Sequence, residues 1–229
     1  TTVKLLKNRF AWYGTHKIFD ALGHTFVENS MGTFNAHYHR HAKDMSTFVV
    51  EMDENTFLKN GFDKMPLPEA QKVCTEVFAE TLQGHPLISN NSIWRQFPRI
   101  ATQRWSVGNC VLLGDALHTA HFSIGSGTRL AMEDAIALAK AILAKPGDVP
   151  QALADYEAAR KPVMIKLLTA ANTSSDWYED FPKHMKLSPM EFAYSYVTRS
   201  GRMDAERLRE SSPDFVATYE SHLAQAKAS

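Results

Sequence analysis

One stretch of this 229-residue chain, residues 110–145, constrains its fold more than any other. It opens with the apolar run CVLL, which is typical of a strand buried on both faces, and Gly114 and Asp115 end that run. Further on, the sequence reads Gly-Ser-Gly-Thr at residues 125–128, and a helix-like segment follows. This order predicts a strand, an acidic turn and a glycine-rich loop that leads into the N-terminus of a helix.

The predicted helix carries small and apolar residues at helical spacing, and Pro146-Gly147 ends it. The members of this predicted buried face are Ala131, Ala135, Leu138, Ala139 and Ile142. Glu133 and Lys140 fall on the opposite face. The free N–H groups at the N-terminus of such a helix, together with its dipole, favour a negatively charged or electron-rich partner.

The chemistry of this stretch suits a flavin. Asp115 can accept hydrogen bonds from the hydroxyls of a sugar or polyol, and the amides of residues 125–127 can bind a phosphate or an electron-rich ring edge. A flavin offers both partners in its ribityl chain and its ring edge. An ordinary strand–loop–helix connection of an α/β domain has the same pattern, so the spacing alone leaves both interpretations open. Leu130 stands at the third glycine position of the dinucleotide pattern GxGxxG, which is therefore not met.

The amino-acid sequence of this stretch resembles a known motif. Residues 112–139, LLGDALHTAHFSIGSGTRLAMEDAIALA, are similar to the second FAD motif of the class A flavoprotein aromatic hydroxylases, the para-hydroxybenzoate hydroxylase type. Gly114-Asp115 and His118 match that motif, whereas Ser123-Ile124 stands where many members have Pro. We interpret His118 as a residue that holds the loop by hydrogen bonds and not as an acid or base.

Other segments resemble a narrower subgroup of the same family. Four segments are similar to salicylyl-CoA 5-hydroxylase, 2-aminobenzoyl-CoA monooxygenase and the tryptophan-hydroxylating enzyme of violacein synthesis. They are HFSIGSGT at residues 121–128, NRFAWYGT at residues 8–15, residues 46–51, and Trp94 with Phe97-Pro98. The resemblance covers nearly all of the chain. It implies an oxidoreductase that uses FAD, NAD(P)H and O2 to hydroxylate an aromatic substrate, with an aryl-CoA thioester as the expected substrate and a tryptophan-type substrate as the alternative.

The resemblance also implies where ligands bind. Asp115, with Gly114, is expected to contact the flavin ribityl chain. The residues expected to face the pyrimidine end of the flavin ring are Gly125, Ser126, Gly127 and Thr128. His37 matches a pocket-facing strand of the subgroup and is a candidate substrate contact, as is His121, whose role the sequence leaves open. No catalytic acid, base or nucleophile is assigned, because the flavin carries the chemistry.

The predicted fold class is α/β, or α+β for this chain considered alone. Residues 1–105 are expected to form the substrate domain, an antiparallel sheet with one helix, and residues 106–229 the later part of the FAD-binding domain with C-terminal helices. Strands are predicted at residues 8–15, 25–29, 32–39 and 45–52. Helices are predicted at residues 66–84, at 149–171 with an interruption or kink at Pro162, after Ser188 within a capping box, and at 204–209 and 213–225.

One expected part is missing. Class A flavoproteins hold the ADP half of FAD with a GxGxxG motif in an N-terminal βαβ unit, and no such motif occurs in this sequence. The chain therefore resembles the later part of a monooxygenase. A folded fragment or binding module without cofactor is the alternative from a different functional class.

A metal site is not expected, although one histidine pattern has suitable spacing. His37, His39 and His41 alternate, which on a strand places all three on one face, a spacing suitable for zinc and hence for a zinc hydrolase. However, the segment runs into a turn, no Cys or carboxylate is fixed nearby, and the resembling subgroup uses no metal. The predicted role of Arg95, Arg99 and Arg104 is a solvated face, with an acyl-CoA phosphate contact as the alternative.

The balance of charge excludes some partners. Lys plus Arg and Asp plus Glu are each 25, so no net field attracts nucleic acid or a membrane surface. No apolar run is long enough to span a bilayer and no signal peptide is evident, which favours a cytoplasmic protein. Cys74 and Cys110 are expected to be packed free cysteines, as in a reducing compartment.

Overall fold

The computed structural model describes residues 1–228, which form two compact units. The sheet unit comprises Leu6–Phe97, and the helical unit comprises Thr1–Leu5 together with the chain from Pro98 onward. The mixture of helices with antiparallel strands confirms the predicted fold class. The predicted domain boundary after residue 105 stays a prediction.

The elements follow one another in this order. The strands are β1 (Thr2–Leu5), β2 (Arg9–Thr15), β3 (Gly23–Asn29), β4 (Gly32–Arg40), β5 (Ser46–Met52), β6 (Leu87–Ser89), β7 (Pro98–Ala101), β8 (Ser106–Val107) and β9 (Cys110–Val111). The α-helices are α1 (Glu54–Lys59), α2 (Leu67–Val77), α3 (Ala79–Leu82), α4 (Gly127–Ala144), α5 (Val149–Glu179), α6 (Phe181–His184), α7 (Pro189–Thr198), α8 (Ala205–Ser211) and α9 (Pro213–Ala228). Short 3-10 helices lie at Gly114–Ala116 and Phe122–Ile124.

The sheet unit is an antiparallel sheet with strand order β3-β4-β5-β2-β6. Its four longer strands, β2 to β5, confirm the strands predicted from the sequence. Phe34, Phe48 and Met52 are fully buried on one face, where Phe57 and Ala70 from the following helices complete the core. That face is therefore a packed core.

The helix predicted at residues 66–84 is two helices. Phe78 separates α2 from α3 with φ −103° and ψ 25°, outside the helical range, and its buried ring joins the core of the sheet unit. The periodicity of apolar residues persists across this break, which is why the sequence suggested one helix.

In the helical unit, the central strand of the prediction is much shorter than expected. Within the described residues, β9 contains only Cys110 and Val111 and pairs with β8 alone, in a hairpin. Cys110 is exposed and Leu112 is 37% exposed, so the expectations of a doubly buried strand and a packed Cys110 are wrong. A strand of two residues that pairs only within a hairpin is too short to be covered on both faces.

Helix α5 runs through Pro162 without interruption, so the predicted interruption is wrong, and the kink given as its alternative stays a prediction. Pro162 cannot donate to the carbonyl of Ala158, but both residues are exposed, so water can satisfy that carbonyl. The capping box at Ser188 and Glu191 that begins α7 is confirmed. None of the described helices combines the length and apolar character that crossing a bilayer requires.

The buried face of α4 also differs from the prediction. Ala135 and Ala139 are exposed and Ile142 is 45% exposed, whereas Leu130 and Asp134 are fully buried. The face that packs in the helical unit is rotated toward Leu130, Asp134, Ala137, Leu138 and Ala141. Because this face contains the buried carboxylate of Asp134, its residues do not form a continuous apolar pattern in the sequence.

Candidate functional site

The turn at Gly114 and Asp115 changes the chain direction at the start of the candidate site. Gly114 has φ +58°, and a Cβ there would lie 3.1 Å from the Cβ of Ala131 on α4, so both conformation and space favour glycine. The Gly114 carbonyl accepts hydrogen bonds from the N–H groups of Leu117 and His118, each at 2.9 Å. The turn is thus closely packed on α4.

Asp115 points away from this packed side. Its side chain is exposed, and within the described residues no hydrogen bond or ion pair engages its carboxylate. A carboxylate with free acceptor positions at a fixed turn suits the hydroxyl groups of a ribityl chain. This part of the chain therefore fits the flavin contact expected from the sequence.

A buried ionic network supports the turn from within. The carboxylate of Asp134, fully buried on α4, accepts hydrogen bonds from Gly114 N at 3.2 Å, His118 Nε2 at 2.8 Å and Arg160 Nε at 2.9 Å. Arg160 also reaches Glu133, with 3.1 Å between Nη1 and Oε2. A buried carboxylate needs such partners to offset its loss of hydration.

His118 belongs to this network and not to a catalytic pair. The imidazole is only 2% exposed, and its Nδ1 has no partner within the described residues. Its ring and its backbone N–H bind Asp134 and Gly114, so it holds the loop as the sequence analysis expected. The sequence analysis did not identify Asp134 or Arg160 as part of the site. The only signal for Asp134 was a charged residue four positions after Leu130, on an otherwise apolar helix face.

The Gly-Ser-Gly segment leads into α4 as predicted. Gly125 ends the preceding 3-10 helix with φ +59°, is exposed, and has open space where a Cβ would lie. Ser126 occupies the N-cap position of α4, but its hydroxyl donates to the carbonyl of Ile124 and does not cap the helix. The first amides of α4, from Gly127 and the exposed Thr128, thus have no side-chain cap.

Uncapped amides beside open space are what an electron-rich ring edge requires. The positive end of the helix dipole adds to this, because α4 is 18 residues long. These residues fit the pyrimidine end of a flavin, and the same unit carries Asp115.

His121 lies inside the loop. It is 3% exposed, and its Nδ1 accepts a hydrogen bond from the N–H of Ser123 at 3.3 Å, so it caps the 3-10 helix. Its ring centroid lies 4.1 Å from Phe122 and 6.0 Å from Tyr178. The geometry gives His121 a role in loop structure, and a substrate contact stays a prediction.

His37 lies in the sheet unit, on the face opposite the packed core. The strand register aligns two rows across that face, which we call the histidine face: His24, His37, Val49 and Trp12 in one row, and Phe26, Asn35, Glu51 and Phe10 in the next. The Trp12 ring stands edge-on to His37 with 6.2 Å between centroids. This face combines aromatic surface with a few polar groups, as small-molecule sites do.

The polar groups of the histidine face are largely buried. His24 Nε2 and Asn35 Oδ1 are 2.9 Å apart, Asn35 is fully buried, and its Nδ2 has no partner within the described residues. Burial, with a smaller contribution from the charge of His39, lowers the pKa of His37 to about 4. His37 is therefore a neutral imidazole at neutral pH.

The remaining residues considered in the sequence analysis are His41 and three arginines. His41 lies beyond the end of β4, with its Nδ1 3.1 Å from the Thr47 hydroxyl. In the part of the chain that the structure describes, no group of His, Cys, Asp or Glu side chains is placed to hold a metal ion. Arg95 and Arg104 are exposed as predicted, but Arg99 is not on a solvated face, because it forms an ion pair with Asp176 at 2.7 Å.

The sequence matches a known family over most of its length. The sequence model of a family described as "FAD binding domain" matches residues 23–171. Salicyloyl-CoA 5-hydroxylase of Streptomyces sp. is 37% identical over 87% of this chain and 40% of its own length. Protodeoxyviolaceinate monooxygenase of Chromobacterium violaceum is 36% identical over 84% of the chain and 52% of its own.

A third relative and two solved structures extend the comparison. The 3-hydroxy-4-methyl-anthranilyl-(aryl-carrier protein) 5-monooxygenase of Streptosporangium sibiricum is 38% identical over 89% of this chain and 53% of its own. A probable FAD-dependent monooxygenase of Pseudomonas aeruginosa, PqsL, superposes with a TM-score of 0.61 at 21% identity, covering 86% of this chain and 54% of its own. Klebsiella pneumoniae HpxO, complexed with FAD and uric acid, gives 0.57 at 17% identity, covering 94% and 55%.

The solved structures and the curated relatives support different conclusions. The two solved structures show the fold alone, since their identities are low. The chain spans about half the length of the curated relatives it matches.

Proposed function

Because the chain belongs to the family of FAD-dependent aromatic monooxygenases, we propose that it supplies the flavin-contacting turn and the substrate-contacting sheet of an aromatic hydroxylase. One observation carries the flavin part of this proposal. The exposed carboxylate of Asp115 has no partner within the described residues, and it shares its unit with the uncapped N-terminus of α4.

The residues of the turn and loop bind and orient. Asp115 accepts hydrogen bonds from ribityl hydroxyls, and Gly114 leaves room for the turn to pack on α4. The amides of Gly127 and Thr128 stabilise negative charge on the ring edge, which is electrostatic preorganisation. The bound FAD supplies hydride acceptance from NAD(P)H and activation of O2.

The histidine face contacts the aromatic substrate. Phe10, Trp12 and Phe26 provide ring surface, while the neutral His37 provides a hydrogen-bonding group. A neutral imidazole can bind a hydroxyl or amino substituent without placing a charge beside the ring.

We propose an aryl thioester as the substrate, because the two rows of the histidine face contain no Lys or Arg that could bind a free carboxylate, and the exposed Arg95 lies only at their edge, opposite Phe10. The arginines of strands β2 to β5 are Arg9 and Arg40, and both bind locally. Arg9 pairs with Glu54 at 3.4 Å, and Arg40 donates to the carbonyls of Ala42 and Lys43. Glu51, which accepts from Asn8 at 2.8 Å, adds an acceptor and not a cation to the face.

The names of two relatives support this substrate class. One acts on salicyloyl-CoA and another on an anthranilyl group carried by an aryl-carrier protein, and both substrates are thioester-linked. A tryptophan-type substrate, implied by the violacein-enzyme resemblance, is the second candidate.

The test is NAD(P)H- and O2-dependent turnover by the complete enzyme that contains this chain. Salicylyl-CoA and 2-aminobenzoyl-CoA are compared with salicylate, 2-aminobenzoate and tryptophan, and hydroxylated product and hydrogen peroxide are both quantified. We expect product from a thioester with little peroxide. Coupled hydroxylation of the free acids or of tryptophan, without turnover of either thioester, contradicts the thioester proposal and leaves the flavin proposal standing.

A further inference from the structure

The loop that carries the expected flavin contacts is held by residues outside the matched family region. The match to the FAD binding domain ends at residue 171. Beyond it, the Ser174 hydroxyl of α5 lies 2.8 Å from the Ser123 hydroxyl, and Arg199 Nη2, just after α7, donates to the Ser123 carbonyl at 3.0 Å. Ser123 lies in the 3-10 helix that leads directly to Gly125.

Arg199 is itself held in one orientation. Its guanidinium carbon lies 4.0 Å from the ring centroid of Tyr196 and 5.7 Å from that of Tyr178. Its Nη1 donates to the Tyr196 carbonyl at 2.7 Å. A planar guanidinium fixed by two rings and a carbonyl loses little freedom when it binds Ser123.

The loop needs such an external support. Gly125 has a positive φ, is exposed, and has no side chain that could anchor it, and Ser126 does not cap α4. Glycine segments lose more conformational entropy on ordering than others. Within the loop, the Gly125 N–H donates to the Phe122 carbonyl at 2.9 Å and Ile124 packs beside Leu130, and the contacts of Ser123 add the connection from the loop to α5 and Arg199.

We propose that Arg199 is a positioning residue of the flavin site, which holds the Ser123 carbonyl and thereby the Gly-Ser-Gly amides in their binding arrangement. This inference rests on the proposed function, since it assigns those amides to the flavin ring. Arg199 contacts the loop through the Ser123 carbonyl, so the role proposed for it is to position the amides and not to bind the flavin. The C-terminal helices, which the family match does not cover, thus contribute to the flavin environment.

The first measurement uses the chain as it stands and needs no flavin. Hydrogen–deuterium exchange is compared for the unchanged chain, Arg199→Met and Arg199→Lys, with Arg202→Met as the matched control because Arg202 is exposed. We expect exchange of the two hydrogen-bonded loop amides, those of Ile124 and Gly125, to rise about tenfold in Arg199→Met, less in Arg199→Lys, and not at all in the control. Unchanged exchange in Arg199→Met overturns the proposal.

The second measurement separates positioning from simple support of α7. In the complete FAD-loaded enzyme, the flavin reduction potential is compared for the same variants, with thermal unfolding as a check on folding. We expect Arg199→Met to shift the potential to a more negative value, because displaced amides stabilise the reduced flavin less. An unchanged potential beside raised exchange overturns the positioning role.

The two measurements also distinguish failure of the wider proposal. A complete, folded enzyme that binds no FAD contradicts the proposed function and the role of Arg199 with it, whatever the exchange data show. Normal FAD binding with exchange and potential both unaffected contradicts only the role of Arg199.

Discussion

The buried carboxylate of Asp134 accepts a hydrogen bond from the backbone N–H of Gly114 over 3.2 Å, so a helix side chain holds the peptide directly before Asp115. The same carboxylate binds Arg160 from α5. The turn, α4 and α5 are therefore fixed to one another by the side chain of a single residue. A site that must present a carboxylate to a ligand benefits from such a rigid support.

Replacement of Asp134 by Asn should destabilise the chain strongly. The change leaves the buried Arg160 without its closest charge partner, and a broken buried ion pair costs about 3–5 kcal/mol. Urea unfolding of the chain measures this loss. Glu133→Gln is the matched control, because Glu133 binds the same Arg160 but its side chain is 36% exposed, and it should cost less than about 1 kcal/mol. Equal stability of the two variants would contradict the account of the network.

His37 should make stability depend on pH. Its pKa is about 4 in the folded chain and 6.5 as the reference, so the unfolded state binds more protons between these values. Stability from this group is complete above pH 6.5 and is lost as pH falls toward about 4, by roughly 3 kcal/mol at most.

The measurement is the free energy of unfolding across that pH range for the unchanged chain and for His37→Asn. The variant should lose less stability on acidification. His41→Asn serves as the control, because His41 is exposed at the end of β4. If His37→Asn and His41→Asn show the same pH dependence, the buried, neutral state of His37 is refuted.

The chain alone should fold without retaining FAD. Its 229 residues contain no GxGxxG motif for the ADP half of the cofactor, whereas each unit has a buried core of its own. We expect a cooperative unfolding transition and a colourless preparation after gel filtration with added FAD. A yellow protein with stoichiometric FAD would show that residues 114–128 suffice for binding.

Parts of this fold follow directly from local sequence. Strands β2 to β5 are rich in aromatic and β-branched residues and are separated by turn residues, which makes them recognisable in the sequence. The capping box at Ser188 has a signature of its own, because both partners lie within one turn.

Other parts depend on contacts that sequence spacing does not reveal. The packed face of α4 includes Asp134, which is compatible with burial only because Arg160, 26 positions later, supplies the opposite charge. Likewise, Arg99 is only 15% exposed and binds Asn172 and Asp176 on α5, more than 70 positions later. The positions of Asp115 and the Gly-Ser-Gly loop were foreseen, but the residues that hold them, Arg160 and Arg199, lie far away along the chain.

The most direct test of the flavin assignment is the FAD affinity of the complete enzyme with Asp115→Ala. The change removes the acceptor for ribityl hydroxyls and leaves the turn intact, since the carboxylate has no partner within the described residues. Asp63→Ala is the control, because Asp63 is also exposed but lies in the sheet unit. Titration of the apoenzymes with FAD should show affinity at least about tenfold lower for Asp115→Ala than for the control, a loss of about 1.4 kcal/mol. FAD affinity equal to that of the unchanged enzyme would contradict the assignment of Asp115 to the flavin.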